Sequence, residues 1–221
     1  YLNEDSAGGG EIDFIGSEWN NIKLFKQNTI VEALSSSEFR SSRTPLFPII
    51  QKYNFFANSI EGIRMTTFAT GIIIFLFFYL CLKIYFPKVN KSLLLLISSF
   101  ILLSPYFRSS VFWANQEHLA ILFFVLCLIF YNLGNKNPGL NYKKILSSLF
   151  AFLSFYSDQK FFFLPIIVYF YSLKDWNFKL FLNFSLINFL FFLPTLFLFI
   201  IWGGIVPVES QWRISFTPSN L

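Results

Sequence analysis

Residues 66–86 read TTFATGIIIFLFFYLCLKIYF, with Lys83 as the sole charge, and this stretch decides the fold class. About 20 apolar residues in a helix cross the hydrocarbon core of a bilayer, which is roughly 30 Å thick. A helix also satisfies its own backbone polar groups there, where no water does so. Working outward, comparable runs recur at residues 92–107, 118–133 and 179–202. A further run, 145–173, is interrupted by Ser157-Asp158-Gln159-Lys160. It reads as a helical hairpin whose tip carries those polar groups, or alternatively as one long helix with a polar centre. With 221 residues, 55% hydrophobic and 33 of them Phe, the expectation is an all-α polytopic membrane protein and not a soluble domain with a large core.

Charge supplies the orientation. The segments holding Lys83, Lys88 and Lys91, then Lys136, Lys143 and Lys144, then Lys174 and Lys179 contain Asp175 as their only acid, net +7. The other eleven carboxylates lie before Thr66 or in the alternate loops, with five Arg and four Lys, net −2. Lys and Arg are retained at cytoplasmic span ends, so residues 1–65 are expected on the outer side. The same lysines account for the pI near 9.2, which excludes nucleic acid as the partner this charge serves. Cys81 and Cys127 both fall inside apolar runs, where a cysteine acts as a small hydrophobe.

Residues 1–65 form the expected outer loop. Ser17–Leu34 places Trp19, Ile22, Phe25, Ile30 and Leu34 among charges, an amphipathic helix suited to a bilayer surface. A second amphipathic stretch at Ile49–Phe56 leads into the first span. Pro194 within the last span is a tolerated kink. Residues 203–221 are expected as a truncated outer loop. The absence of a signal-peptide pattern at Tyr1 and the polar ending Thr217–Leu221 make the chain look like a fragment, with a membrane helix expected before Tyr1.

Four constellations bear on chemistry. Glu4-Asp5-Ser6-Ala7-Gly8-Gly9-Gly10-Glu11-Ile12-Asp13 packs four carboxylates around a triple glycine. Crowded carboxylates raise one another's pKa and suit a general base or a divalent-cation site, although a solvated surface loop has the same composition. Arg40-Ser41-Ser42-Arg43-Thr44-Pro45-Leu46-Phe47-Pro48 offers paired planar donors to a phosphate or to a lipid headgroup. Trp113-Ala114-Asn115-Gln116-Glu117-His118 opens a span: Asn115 fits an N-cap, and Glu117 fits the positive end of the helix dipole. His118 is the only histidine, so neither a histidine metal cluster nor a Ser-His-Asp arrangement can be assembled. Asp158-Gln159-Lys160 is either an outward polar turn or a working site, since polar groups near membrane depth are expensive.

In that order, acidic loop, amphipathic helices, Arg43-Thr44-Pro45-Leu46-Phe47-Pro48 turn and alternating spans, the chain resembles the GT-C superfamily of polytopic glycosyltransferases. These enzymes use polyprenyl-phosphate sugars, as the protein mannosyltransferases do. Ser104-Pro105 through Asn115-Gln116-Glu117 is similar to their outer turn before a span, and Phe155–Pro165 to their short hairpin with a basic or Gln-containing tip. The resemblance implies a GT-C-like bundle in the bacterial inner membrane or the endoplasmic reticulum, with the active face periplasmic or luminal. It also implies an essential acid in the first outer loop, which maps to Asp13 or Asp5. Asp13 is favoured because it adjoins apolar Phe14-Ile15, where burial would raise its proton affinity. Glu11 is then a candidate ligand for a divalent cation, Mg or Mn. Arg43, Lys160 and Arg108 are expected at the lipid phosphate of the donor, and Glu117 and Gln159 are further site candidates. Membrane lipids are the other expected partners. A lipid-linked sugar polymerase or ligase, or a piece of a transporter, are the alternatives.

Overall fold

In a computed structural model of the chain, residues 14–39, 41, 44–135, 139–173, 177–204 and 207 are described, and every regular element among them is helical. A π-turn at Phe14–Glu18 runs into α1 (Trp19–Gln27), followed by α2 (Ile30–Ser35) and α3 (Leu46–Tyr53). Then come α4 (Ile60–Tyr85), α5 (Lys91–Leu103), α6 (Pro105–Phe112) and α7 (Glu117–Asn135). A hairpin of α8 (Tyr142–Ser157) and α9 (Phe163–Ser172), joined through a 3-10 turn at Gln159–Phe161, precedes α10 (Phe178–Trp202). Helices α4, α7 and α10 are long and apolar enough to cross a membrane, with mean hydropathy 2.1, 1.8 and 2.4. Their outward faces are apolar too: Leu76 is 55% and Ile200 78% exposed, which suits lipid, a solvent as apolar as leucine.

The single span expected over residues 92–107 is two helices. α5 and α6 meet at 67°, and counted as one bent span they would make a fourth crossing. The break is local chemistry. A residue before proline is pushed out of the helical region, and Ser104 sits at φ −63°, ψ 119°. Its hydroxyl accepts the Phe107 N–H at 3.4 Å, and Pro105 takes the first helical position, where no N–H is needed.

The amphipathic helix expected over Ser17–Leu34 is also divided. It stops at Asn28, and α2 restarts behind a capping box in which Thr29 Oγ1 accepts the Glu32 N–H at 3.3 Å while Glu32 Oε2 accepts the Thr29 N–H at 2.8 Å. Lys52 of α3 closes the end of α1 by donating to the carbonyls of Phe25 and Asn28, both at 2.6 Å. The apolar face of α1 meets protein, not a bilayer surface. Ile22 packs with Phe47, Ile63 and Trp113, while Leu24 and Phe25 join Leu34, Phe39, Leu198 and Trp202. The indole N–H of Trp202 donates to the Leu34 carbonyl at 3.1 Å, so α1–α3 rest on the last turn of α10.

Helices approach closely where small residues face each other. A Cβ added at Gly71 would lie 2.6 Å from Val111 Cγ1, and Thr67 Oγ1 donates to the Val111 carbonyl at 3.0 Å, which ties α6 to α4. Ser147 Oγ donates to the Cys127 carbonyl at 3.1 Å and Ser154 Oγ to the Ala120 carbonyl at 2.9 Å, so the serine face of α8 lies flush on α7. Ser148 Oγ donates to Asn188 Oδ1 at 2.6 Å, which attaches α10. α9 folds back beside these, with Leu164 and Val168 in contact with Cys127 and Ala151. The first turns of α4 and α7, the tip of the α8–α9 hairpin and the end of α10 thus gather at one end of the bundle.

Candidate functional site

That end holds two polar features. The first is the hairpin tip. Asp158 leaves the helix at φ −146°, ψ 124°, and its carboxylate accepts the Lys160 N–H at 3.0 Å. A carboxylate capping its own turn is a common way to reverse a chain. Asp158 is 5% exposed, whereas the Lys160 side chain is 66% exposed. The Lys160 ammonium donates to the Tyr106 hydroxyl at 2.8 Å and lies 3.6 Å from Asp158 Oδ2. The hydrogen bond to Tyr106 raises the Lys160 pKa above the usual lysine value, and the charges of Asp158 and Glu117 add to that. Lys160 is therefore held as a cation beside the Asp158 carboxylate. Arg108 lies two positions beyond Tyr106 on α6, and residues so spaced do not share a helix face.

Beside the tip is a cavity of about 350 Å³, walled by Tyr156 and Phe162 of the hairpin, Thr195, Leu198 and Trp202 of α10, and Thr44. Gln159 also lines it, so consecutive tip residues serve two sides: Gln159 the cavity, Lys160 the Tyr106 contact. The α10 wall repeats at three- and four-residue spacing, one face of a helix. It begins just after Pro194, whose missing N–H loosens the ladder there. Tyr156 braces this point: its hydroxyl donates to the Phe191 carbonyl at 2.7 Å and lies 3.0 Å from Thr195 Oγ1. The Thr44 hydroxyl donates to the Tyr156 carbonyl. The result is a mostly apolar slot with a few polar groups in its wall, Thr44, Tyr156, Gln159 and Thr195.

The second feature is the turn at residues 113–118. Ala114 takes a left-handed φ of 57°, uncommon for a residue with a Cβ. The turn is sealed: Gln116 and His118 are each 1% exposed and Glu117 6%. Asn115 is not the side-chain N-cap expected of it. Its Oδ1 is buried without a hydrogen-bond partner, and Ser110 Oγ, reaching across from α6, accepts the His118 N–H instead at 2.9 Å. Ser110 also donates to the Asn115 carbonyl at 2.9 Å, which in addition meets His118 Nδ1. A ring nitrogen facing a carbonyl oxygen carries its proton. His118 packs edge-on against Phe47, with ring centroids 5.7 Å apart, and serves as a core residue.

Asp5, Glu11, Asp13 and Arg43 lie outside the described residues. Two of them have a described neighbour: Phe14, next after Asp13, is fully buried with Trp113 and Ala114, and Thr44, next after Arg43, lines the cavity. Of the described candidates, Lys160 and Glu117 come within electrostatic reach of each other. Among the described residues no three His, Cys, Asp or Glu side chains group to hold a metal ion. Sequence reasoning missed Tyr106, Tyr156, Thr195 and Trp202. Their only sequence signal is the helical spacing of the last two, and lipid-facing residues show the same spacing. Comparison with protein-family models, with curated proteins and with solved structures found no match.

Proposed function

We propose that this chain belongs to a multi-pass integral-membrane glycosyltransferase of the GT-C type, with the hairpin-tip end of the bundle on the outer, periplasmic or luminal face. It would transfer a sugar from a polyprenyl-phosphate donor to an acceptor hydroxyl. The observation that carries this reading is the apolar cavity lined in part by Gln159 of the hairpin tip, the residue before Lys160. A polyprenyl phosphate is an apolar chain ending in an anion; the slot suits the chain, and the next residue of the tip, Lys160, offers a cation on the side that faces Tyr106. Thr44 in the cavity wall brings the chain to within one residue of Arg43, a second cation for the same phosphate.

In this mechanism the phosphate departs with added negative charge, which Lys160 and Arg43 stabilise, with Arg108 as a further cation. An acid of the first loop, Asp13 ahead of Asp5, takes the proton from the acceptor hydroxyl as that oxygen attacks the anomeric carbon. A divalent cation would rest on Glu11, and the described residues offer no cluster that fits one. No step here is routed through it.

Trp202 in the cavity wall gives a direct test in proteoliposomes. Addition of polyprenyl phosphate should change tryptophan emission in the native protein, and Trp202→Phe should remove that change. Saturable transfer of labelled sugar from a polyprenyl-phosphate donor should accompany it. Emission insensitive to polyprenyl phosphate, together with no transfer from any such donor, overturns the reading.

A further inference from the structure

We infer that the loop between α3 and α4, residues 54–59, is a rigid aromatic wedge seated in the headgroup layer of the bilayer. Tyr53, Phe55 and Phe56 are 72%, 82% and 64% exposed, whereas the loop-end aromatics Trp113 and Trp202 at the same end of the bundle are 7% and 5% exposed. The loop that carries these rings is tightly bonded. Asn54 Oδ1 accepts the Phe56 N–H at 3.0 Å, and Asn54 Nδ2 donates to Gln51 Oε1 at 2.8 Å and to Thr66 Oγ1 at 3.2 Å. Lys26 clamps it from α1, donating to the Asn54 carbonyl at 3.3 Å and to Asn58 Oδ1 at 3.0 Å. The Phe56 carbonyl presses so closely on α4 that a Cβ at Gly62 would lie 1.9 Å from its oxygen. Phe56 is thereby pinned at the level of the first turn of α4.

Helix length sets that level. At 1.5 Å per residue the uncharged stretch from Met65 to Leu82 spans about 27 Å, close to the roughly 30 Å of the hydrocarbon core. Gly62 then stands just above the hydrocarbon edge, in the layer where aromatic residues concentrate. Continuity identifies the occupant as lipid. Met65 and Phe68, 71% and 57% exposed, carry the same apolar surface one and two turns down α4. Lys26 at the loop base and Arg64 in the next turn supply cations at the height of lipid phosphates. Arg64 is itself fixed, 4.1 Å from the Phe112 ring centroid and 4.7 Å from that of Trp113. The wedge would set the depth at which α4 and this end of the bundle sit, whatever reaction the protein catalyses.

The test is fluorescence quenching in nanodiscs of phosphatidylcholine and phosphatidylglycerol. Cys81 and Cys127 are replaced by alanine, and a fluorophore is placed at Phe56→Cys or, as a deep reference, at Leu76→Cys. The label at position 56 should be quenched more by shallow than by deep nitroxide lipids and protected from aqueous iodide, with the opposite lipid preference at position 76. Adding Gly62→Ala should reduce lipid quenching at position 56 and leave position 76 unchanged. Iodide quenching without lipid quenching at position 56 would place the loop in water and overturn the inference. Protection from both would mean that protein, or a second copy of the chain, covers it, and would also overturn it. Unchanged quenching at position 56 on adding Gly62→Ala would refute docking against α4 as the cause.

Discussion

The 113–118 turn and the 158–160 tip sit at the same end of the bundle and look alike in composition, one Asn-Gln-Glu-His and the other Asp-Gln-Lys. Their environments are opposite. In the first, Gln116 and His118 are sealed at 1% exposure each, and Ser110 occupies the backbone groups of the turn. In the second, Gln159 lines a cavity and Lys160 keeps most of its surface open. A buried turn whose backbone groups are bonded by a neighbouring helix, here through Ser110, shapes a fold. The same residue types at the tip leave Gln159 facing a cavity and Lys160 open to its surroundings, which is where the proposed donor would bind. The difference lies in what surrounds them.

The comparison breaks most severely if catalysis does not depend on the acidic loop that leads into Phe14. Asp13→Asn keeps size and polarity while removing a base, so sugar transfer by the protein should fall by roughly a hundredfold or more, with membrane insertion intact. If transfer survives in Asp13→Asn and fails in Asp5→Asn, the base is Asp5. Survival in both removes the loop from the chemistry.

The sealed turn should answer to stability and the open tip to binding. Ser110→Ala strands the buried His118 N–H and should cost about 1–3 kcal/mol of stability, measured by thermal unfolding in detergent, without a selective loss of donor affinity. Lys160→Gln should do the reverse, leaving the melting temperature nearly unchanged while weakening polyprenyl phosphate binding by roughly tenfold, about 1.4 kcal/mol. A stability loss in Lys160→Gln equal to that in Ser110→Ala would erase the distinction between the two regions.

The smallest effect sharpens the tip itself. Tyr106→Phe removes the hydrogen bond that raises the Lys160 pKa. A lysine is cationic below its pKa and loses its charge as pH rises through it, so the variant should lose phosphate binding at a lower alkaline pH than the native protein. Binding near neutral pH should change little. Coincident alkaline limbs would show that Tyr106 does not tune the lysine.

Much of the fold was legible because it rests on local rules. The apolar run 66–86 lies in α4 as far as Tyr85 and ends at its C-cap Phe86, and 179–202 nearly coincides with α10. Asp158 marks the reversal at the tip because its carboxylate can cap only a turn close by in sequence. The break at Ser104-Pro105 was as local and just as visible, but hydropathy averages across such a break and conceals it. The burial of α1 against α3 and α10 was not legible, since an apolar stripe has the same spacing whether it meets lipid or protein.

The sequence by itself determined that the chain is helical and apolar enough for a membrane, and that its charges are sorted between alternate segments. Those properties depend on residue type and on neighbours within a few positions. Only the tertiary structure decided that Ser110 and not Asn115 serves the start of α7, that Tyr106 holds Lys160, and that Thr44, Tyr156 and Trp202 enclose one cavity. Tyr106 and Lys160 are 54 positions apart and Leu34 and Trp202 168 apart. Contacts at such separations follow from how whole helices pack, and no local pattern encodes which long-range partner each side chain meets.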